Sequence, residues 1–122
     1  MFEQIDPYAD IDGVLAGIGL PYYHGMPEFS ARDEPQRYLS YTLHEKPDFY
    51  ASGESSALQV WAAVSVFTLG TESRLHQKIK KAFTDAGYIY QDGTDAGTVS
   101  PFPTKKHYVM DFIRMYYETE KE

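Results

Sequence analysis

An apolar run of thirteen residues, Ala57 to Leu69, constrains the fold more than any other part of this 122-residue chain. β-Branched and aromatic residues dominate the run and neither Gly nor Pro interrupts it, so the run favours a strand over a helix. The two-residue period of a strand places Val60 and Val64 on one face and Trp61 and Phe67 on the other, so both faces are mostly apolar. We therefore predict a central strand that needs cover on both sides, from helices or from another copy of the chain.

A helix is predicted directly after this strand, between Gly70 and Gly87. Thr71 is placed to cap its start, and Gly87 suits the left-handed position that ends helices. Apolar residues recur at helical spacing in one stripe, namely Leu75, Ile79, Ala82, Phe83 and Ala86. The remaining surface is basic and is interpreted either as a solvated face or as a partner contact, and it carries Arg74, Lys78, Lys80 and Lys81.

Five further segments have strand or helix signatures. Residues 7–18 follow a capping Asp and carry apolar residues at helical spacing, which predicts a first helix. Residues 21–25 form a short extended piece between turn-forming residues. Residues 37–43 and 106–117 alternate as strands do, and residues 88–90 can add a short one. The chain is therefore predicted to form one domain with two helices and about four strands.

Two long connections separate these elements, residues 44–56 and 91–104. Each is longer than its neighbours require, and Asp92-Gly93 indicates a turn in the second. Both carry side chains that favour a partner contact, namely Lys46, Phe49, Tyr50 and Phe102. For the first connection the alternative is a flap that folds onto its own sheet. The candidate oligomer or partner interface combines these four residues with three helix cations, Arg74, Lys78 and Lys81.

The net charge of −7 is unevenly distributed along the chain. Residues 1–56 carry three Lys/Arg against ten Asp/Glu, whereas residues 57–122 carry eight of each. An acidic chain does not hold nucleic acid by neutralising phosphates, so we expect no stable nucleic-acid binding. No apolar stretch reaches the roughly 18 residues of a membrane span, and the start of the chain has no secretory signal pattern. We expect a soluble protein without a membrane partner.

Catalytic and metal-binding signatures are missing from the sequence. There is no cysteine, the four His are scattered without metal-ligand spacing, and no nucleophile elbow, P-loop or dinucleotide motif occurs. His107 and Asp111 share a predicted strand face, but at strand rise they lie about 13 Å apart, too far for direct proton transfer. Asp111 is more simply interpreted as a structural residue with a hydrogen-bond partner. The sequence therefore predicts no enzyme, metal or cofactor.

Several strand and helix segments also carry a family signature. In chain order they are Tyr38-Leu39-Ser40-Tyr41, Glu45-Lys46-Pro47, Tyr50-Ala51, Val64-Ser65-Val66-Phe67-Thr68, Ile79-Lys80-Lys81-Ala82-Phe83, Ala86-Gly87-Tyr88 and His107-Tyr108-Val109-Met110-Asp111-Phe112. Over roughly residues 14–117 the chain resembles the tail terminator, or tail-to-head joining, proteins of long-tailed bacteriophages and prophages. The resemblance implies an α+β fold, with a twisted, mainly antiparallel sheet of about four strands flanked by two helices in a single domain.

The resemblance implies a structural virion protein at the head-proximal end of a phage tail, made and assembled in the bacterial cytoplasm. Copies of the chain would form a ring, usually a hexamer, that caps the tail tube, ends tube polymerisation and joins the head connector or stopper protein. DNA would pass through the ring without stable binding. An acidic N-terminal part and a basic helix face on one chain can meet head to tail, which favours such self-assembly. Two alternatives stay open, namely another neck or head-closure component of the same virion and a small α/β enzyme that uses His107 and Asp111.

Overall fold

The computed structural model describes residues 5–27, 29, 34–49, 55–98 and 105–117. Two helices and five strands lie within these residues. The helices are α1 (Pro7–Ile18) and α2 (Ser73–Asp85). The strands are β1 (Tyr22–His24), β2 (Tyr38–Phe49), β3 (Ser55–Thr68), β4 (Ile89–Thr98) and β5 (Lys106–Tyr117).

The described strands form one sheet in the order β1-β2-β3-β5-β4. β3 lies at the centre, as predicted, with β2 and β5 antiparallel on either side of it. β4 pairs antiparallel with β5, whereas β1 pairs parallel with β2. The sheet is therefore mixed and has five strands where about four were predicted, because the short extended piece at 21–25 joins the edge beside β2. The fold is a single α+β domain with two helices.

Both helices pack on one face of the sheet, and the main core lies between them and the strands. The helices contribute the buried side chains of Ile11, Leu15, Ile18, Leu75, Ile79 and Phe83. The strands contribute alternate residues, including Leu39, Tyr41, Ala62, Val64, Val66, Met110 and Phe112. Phe83 stacks on Phe112 with ring centroids 4.4 Å apart. These contacts confirm the predicted apolar stripe of the second helix, and they show which of the two faces of β3 and of β5 points into the core.

The ends of the helices follow local sequence signals at three of four positions. The Asp6 carboxylate accepts from the Ala9 N–H at 3.1 Å, and Gly19 ends α1 in the left-handed conformation. Gly87 follows α2 with a φ of 98°. The predicted Thr71 cap is wrong, because α2 begins two residues later and Glu72 occupies the N-cap position. The Glu72 carboxylate makes no capping hydrogen bond and instead lies 3.7 Å from Arg37, the residue before β2.

β2 and β3 form a long antiparallel hairpin, which corrects the predicted connection at 44–56. Residues 44–49 continue β2 and residues 55–56 begin β3, so only residues 50–54 separate the two strands, and these lie outside the described residues. β1 pairs with β2 only from Leu39 to Tyr41. Beyond Tyr41, no described strand pairs with the outer edge of β2. Pro47 has no N–H to donate, and this edge position tolerates it.

β4 corrects the second predicted connection, because residues 91–98 belong to this edge strand and not to a loop. Asp92 and Gly93 pair with Asp111 and Met110 of β5, so the predicted turn at Asp92-Gly93 is wrong. The register shifts between Tyr90 and Asp92, which indicates a bulge. A side chain at Gly93 would collide with the hydroxyls of Tyr90 and Tyr108, so close approach explains this glycine. Residues 99–104 lie outside the described residues.

Candidate functional site

The first candidate surface is the sheet face that points away from the helices. Strand alternation and the observed register place its residues together, and we call this set the open face. It comprises Thr42, His44 and Lys46 of β2, Gln59, Trp61 and Ala63 of β3, Val109, Asp111, Ile113, Met115 and Tyr117 of β5, and Ile89 and Asp92 of β4. The cover predicted on both sides of β3 is therefore present on the helix side, while on the opposite face no helix of the described residues covers Trp61, which is 38% exposed.

The centre of the open face is apolar. Trp61 pairs across β3 and β5 with Ile113, which in turn pairs with Ile89 of β4. The Trp61 side chain is 38% exposed and that of Ile89 is 56% exposed. Trp61 donates its Nε1–H to Gln59 Oε1 at 3.0 Å, which orients the indole on the sheet. A large aromatic ring held in place with much of its surface in water is typical of contact surfaces.

Polar and charged side chains border this apolar centre. His44 and Lys46 are exposed on the β2 side, whereas Asp92 and Asp111 pair across the β4 side. Burial and the nearby Asp92 raise the pKa of Asp111. The Asp111 carboxylate has no hydrogen bond or ion pair within the described part of the chain, so the predicted structural partner for Asp111 is wrong there. Two neighbouring carboxylates thus lie on this face without a cation.

One end of the same sheet face is closed by the segment that precedes β2. Phe29 packs edge-on against Tyr38, and Tyr38 stacks on Phe67 with centroids 4.6 Å apart. Phe67 stacks in turn on His107 at 4.5 Å. Burial lowers the pKa of His107, whose Nε2 lies 3.0 Å from Ser65 Oγ. The open face therefore begins beyond this aromatic stack.

The basic surface of α2 lies on the opposite side of the sheet. Arg74, Lys78 and Lys81 are exposed at helical spacing along one stripe. Lys81 pairs with Asp85 at 2.7 Å, and Lys78 donates to the Ile18 carbonyl at 3.4 Å. Lys78 and Lys81 therefore have partners within the protein, and the stripe as a whole is still an exposed positive surface.

The structure does not bring all of the predicted interface residues together. Lys46 lies on the open face, and the three α2 cations lie on the helix side of the sheet. Phe49 ends β2, but its side chain is outside the described residues. Tyr50 and Phe102 are also outside them. The candidate site is thus two surfaces, the open face and the α2 stripe, and the apolar centre around Trp61 and Ile113 was not among the predicted interface residues.

A cavity of about 240 Å³ lies where the start of α2 meets the start of β5. Its lining includes Ser73, His76, Asp95, Lys106 and His107. His76 stacks on Tyr108 at 4.1 Å, and burial lowers the pKa of His76. His107 pairs with Ser65, so the hypothetical His107–Asp111 catalytic pair has no direct contact to support it. Within the described ranges, no three His, Cys, Asp or Glu side chains are grouped as a metal site.

No protein-family model matches the chain, and no curated protein matches it in sequence. The functional assignment therefore depends on the geometry of this molecule and on the segment-level resemblance. Among the described residues, no helix is both long and apolar enough to cross a membrane.

Proposed function

We propose that this chain is a ring-forming structural protein of a phage tail, with the role of a tail terminator. In this role several copies, six in the usual ring, cap the tail tube and stop its polymerisation. The ring then joins the tube to the head connector or stopper protein at the head-proximal end of the virion. The protein is not an enzyme in this proposal and needs no cofactor.

The observation that carries the proposal is the exposed cationic stripe on an otherwise acidic molecule. Arg74, Lys78 and Lys81 face solvent on α2, whereas residues 1–56 hold ten Asp/Glu against three Lys/Arg. α1, with Asp6, Asp10 and Asp12 at or near its start, belongs to that acidic part. A basic surface and an acidic surface at different places on one chain favour contacts between unlike patches, which close into rings when the rotation permits.

The fold and the charge support the remaining parts of the role. The single α+β domain with two helices supports the fold class that the family resemblance implies, although its sheet is mixed and has five strands. The net charge of −7 lets DNA pass a ring of such subunits without lasting contact.

The test is reversal of charge on the α2 stripe. Arg74→Glu with Lys78→Glu should abolish rings seen by native mass spectrometry and electron microscopy, and should abolish capping of purified tail tubes. Lys78→Glu alone should already weaken the rings, and Lys106→Glu, an equal charge change at an exposed cation of β5, is the matched control for that single reversal and should leave rings intact. Added salt should weaken the wild-type ring because exposed charges are screened.

Two results would contradict the proposal. The first is a wild-type protein that forms no ring, either alone or on tail tubes, at any concentration tested. The second is a ring that survives the double charge reversal unchanged. A protein that forms rings but binds only head connectors would instead indicate another neck or head-closure component.

A further inference from the structure

On local grounds α1 is the weaker of the two described helices. It has 12 residues, a length at which an isolated helix is marginal in water even with favourable residues. Gly13 and Gly17 lie inside it, and a Cβ added at either position would lie in open space. Close packing therefore does not require these glycines, and each makes the helix less stable than Ala would. The 13 residues of α2 include no glycine.

Packing on the sheet must therefore hold α1 in place. The buried residues of α1 are Pro7, Ile11, Leu15 and Ile18. The described pairings of β2, β3, β5 and β4 are made among these strands themselves. α2 lies between β3 and β4 in the chain and stacks Phe83 on Phe112 of β5. α1 can thus leave the sheet while these strands stay paired and α2 stays packed.

Polar contacts at the start of α1 join it to β5. Tyr116 donates its hydroxyl to Asp10 Oδ2 at 2.6 Å, and an Arg114 guanidinium nitrogen lies 3.7 Å from the same oxygen. A hydrogen bond to a carboxylate is stronger than one between neutral groups, and Tyr116 is only 9% exposed, so water competes little for it. We call Asp10, Arg114 and Tyr116 the latch.

The other contacts of α1 are weaker. Asp12 accepts from the Tyr22 hydroxyl of β1 at 2.7 Å, but in an exposed position where water competes. At the last turn, which has no basic residue of its own, Lys78 donates to the Ile18 carbonyl at a long 3.4 Å. The polar attachment of α1 is therefore concentrated at the latch.

Tyr88 adds a cost to the closed structure. Its ring centre lies 5.5 Å from the Arg114 guanidinium, and its hydroxyl is buried with no described group in hydrogen-bonding geometry. A buried hydroxyl without a partner is unfavourable, and water that enters beside the latch can satisfy it. The latch therefore holds α1 closed against an opposing contribution at the same place.

We propose that α1 is a strap, which opens from the sheet and unfolds as one unit while the rest of the domain stays folded, and that the latch sets how often it opens. Opening uncovers β2 at Tyr41, which Tyr8 and Asp12 of α1 approach. Elements that open below global unfolding are those that proteins use as lids and switches. The strap belongs to a single subunit, so this proposal fails or stands separately from the ring contact.

Hydrogen exchange of the free subunit, followed by mass spectrometry at low urea concentrations, tests the strap. We expect the α1 amides to exchange faster than those of α2 and β3, with a weaker dependence on urea because strap opening exposes less surface. Phe83→Leu separates strap opening from global unfolding, because the contacts of Phe83 with Phe112 and Tyr88 persist when α1 opens. It should raise the exchange of α2 about tenfold and leave that of α1 unchanged.

The latch is tested by removal of one hydroxyl. Tyr116→Phe should raise the exchange of α1 at least about tenfold. Tyr117→Phe is the matched control, because it removes the same atom from the next residue, which is 61% exposed, and it should leave the exchange unchanged. Gly17→Ala should slow the exchange of α1 about fourfold, because it stabilises the closed helix. Thermal melting verifies that the variants fold.

Two results would overturn the proposal. The first is α1 exchange that matches that of α2 in rate and urea dependence and rises equally in Phe83→Leu, since α1 would then open only with the whole domain. The second is α1 exchange that Tyr116→Phe leaves unchanged, since the latch would then not hold the helix.

Discussion

Glu34 and Lys105 form a buried ion pair across 71 residues of chain, with Glu34 Oε1 3.1 Å from Lys105 Nζ. The two side chains are only 5% and 6% exposed. Glu34 also accepts a hydrogen bond from the Tyr38 hydroxyl at 3.0 Å, and burial together with this bond raises the pKa of Tyr38. The pair therefore joins the segment before β2 to the start of β5, at the closed end of the otherwise open face.

Removal of one charge from this pair should strongly destabilise the protein. Lys105→Met leaves the Glu34 carboxylate buried without its cation, and such single removals cost about 3–5 kcal/mol. The double variant Glu34→Gln with Lys105→Met keeps an acceptor for Tyr38 and removes both charges, so it should recover most of that loss. Urea unfolding measures both variants. Equal stability of Lys105→Met and the wild type would show that the pair is solvated in solution.

Phe83→Ala should remove the largest side chain that α2 places against the sheet. Phe83 is fully buried and contacts both Phe112 and Tyr88. We expect a loss of about 3–5 kcal/mol in the free energy of unfolding, from lost burial and the cavity left behind. The neighbouring exposed Thr84, changed to Ala, should shift it by less than about 0.5 kcal/mol. Matching melting curves for Phe83→Ala and the parent would refute the observed packing of this face.

The same Gly→Ala change should have opposite signs at two positions of α1. Gly13 lies inside the helix with open space around an added Cβ, so Gly13→Ala should stabilise the protein by about 0.5–1 kcal/mol. Gly19 has a φ of 91°, so Gly19→Ala should destabilise it by about 1–2 kcal/mol. Chemical denaturation gives both values. The prediction fails if the two variants shift stability in the same direction.

Stability should decrease as the pH falls through about 6.5, the ordinary pKa of histidine. Burial lowers the pKa of both His76 and His107 in the folded protein. The unfolded chain therefore binds protons at these sites before the folded chain does, and acidification favours unfolding. Urea unfolding between pH 7.5 and 5.5 measures the slope. Replacement of both histidines by Gln should flatten it, whereas an unchanged slope would assign the pH dependence to other groups.

DNA should bind weakly or not at all at physiological salt. The chain carries eighteen Asp/Glu against eleven Lys/Arg, so there is little counterion release to drive phosphate binding. Fluorescence anisotropy with labelled duplex DNA at about 0.15 M salt measures this. Tight binding that falls steeply with added salt would contradict the proposed role as a ring through which DNA passes freely.

Local signals in the sequence predicted the parts of this fold that depend on local interactions. Asp6 caps α1 and Gly87 follows α2 because capping and left-handed turns involve residues only a few positions apart. β5 was predicted with the same bounds as observed, 106–117, and the two faces of β3 follow from its two-residue alternation. The existence of a central strand, with one helix before it and one after it along the chain, therefore needed no tertiary information.

Tertiary structure decided the lengths of β2 and β4 and the layout of the second sheet face. Lys46-Pro47 and Asp92-Gly93 are turn signals locally, but pairing with long neighbouring strands continues past both sites. Pro47 is accommodated at the edge of the sheet, and Asp92 follows a β-bulge. The Glu34–Lys105 pair joins residues 71 positions apart, a distance over which no sequence periodicity operates. Alternation along β3 predicts two apolar faces, but only the packing of both helices on one of them leaves Trp61 and Ile113 uncovered on the other.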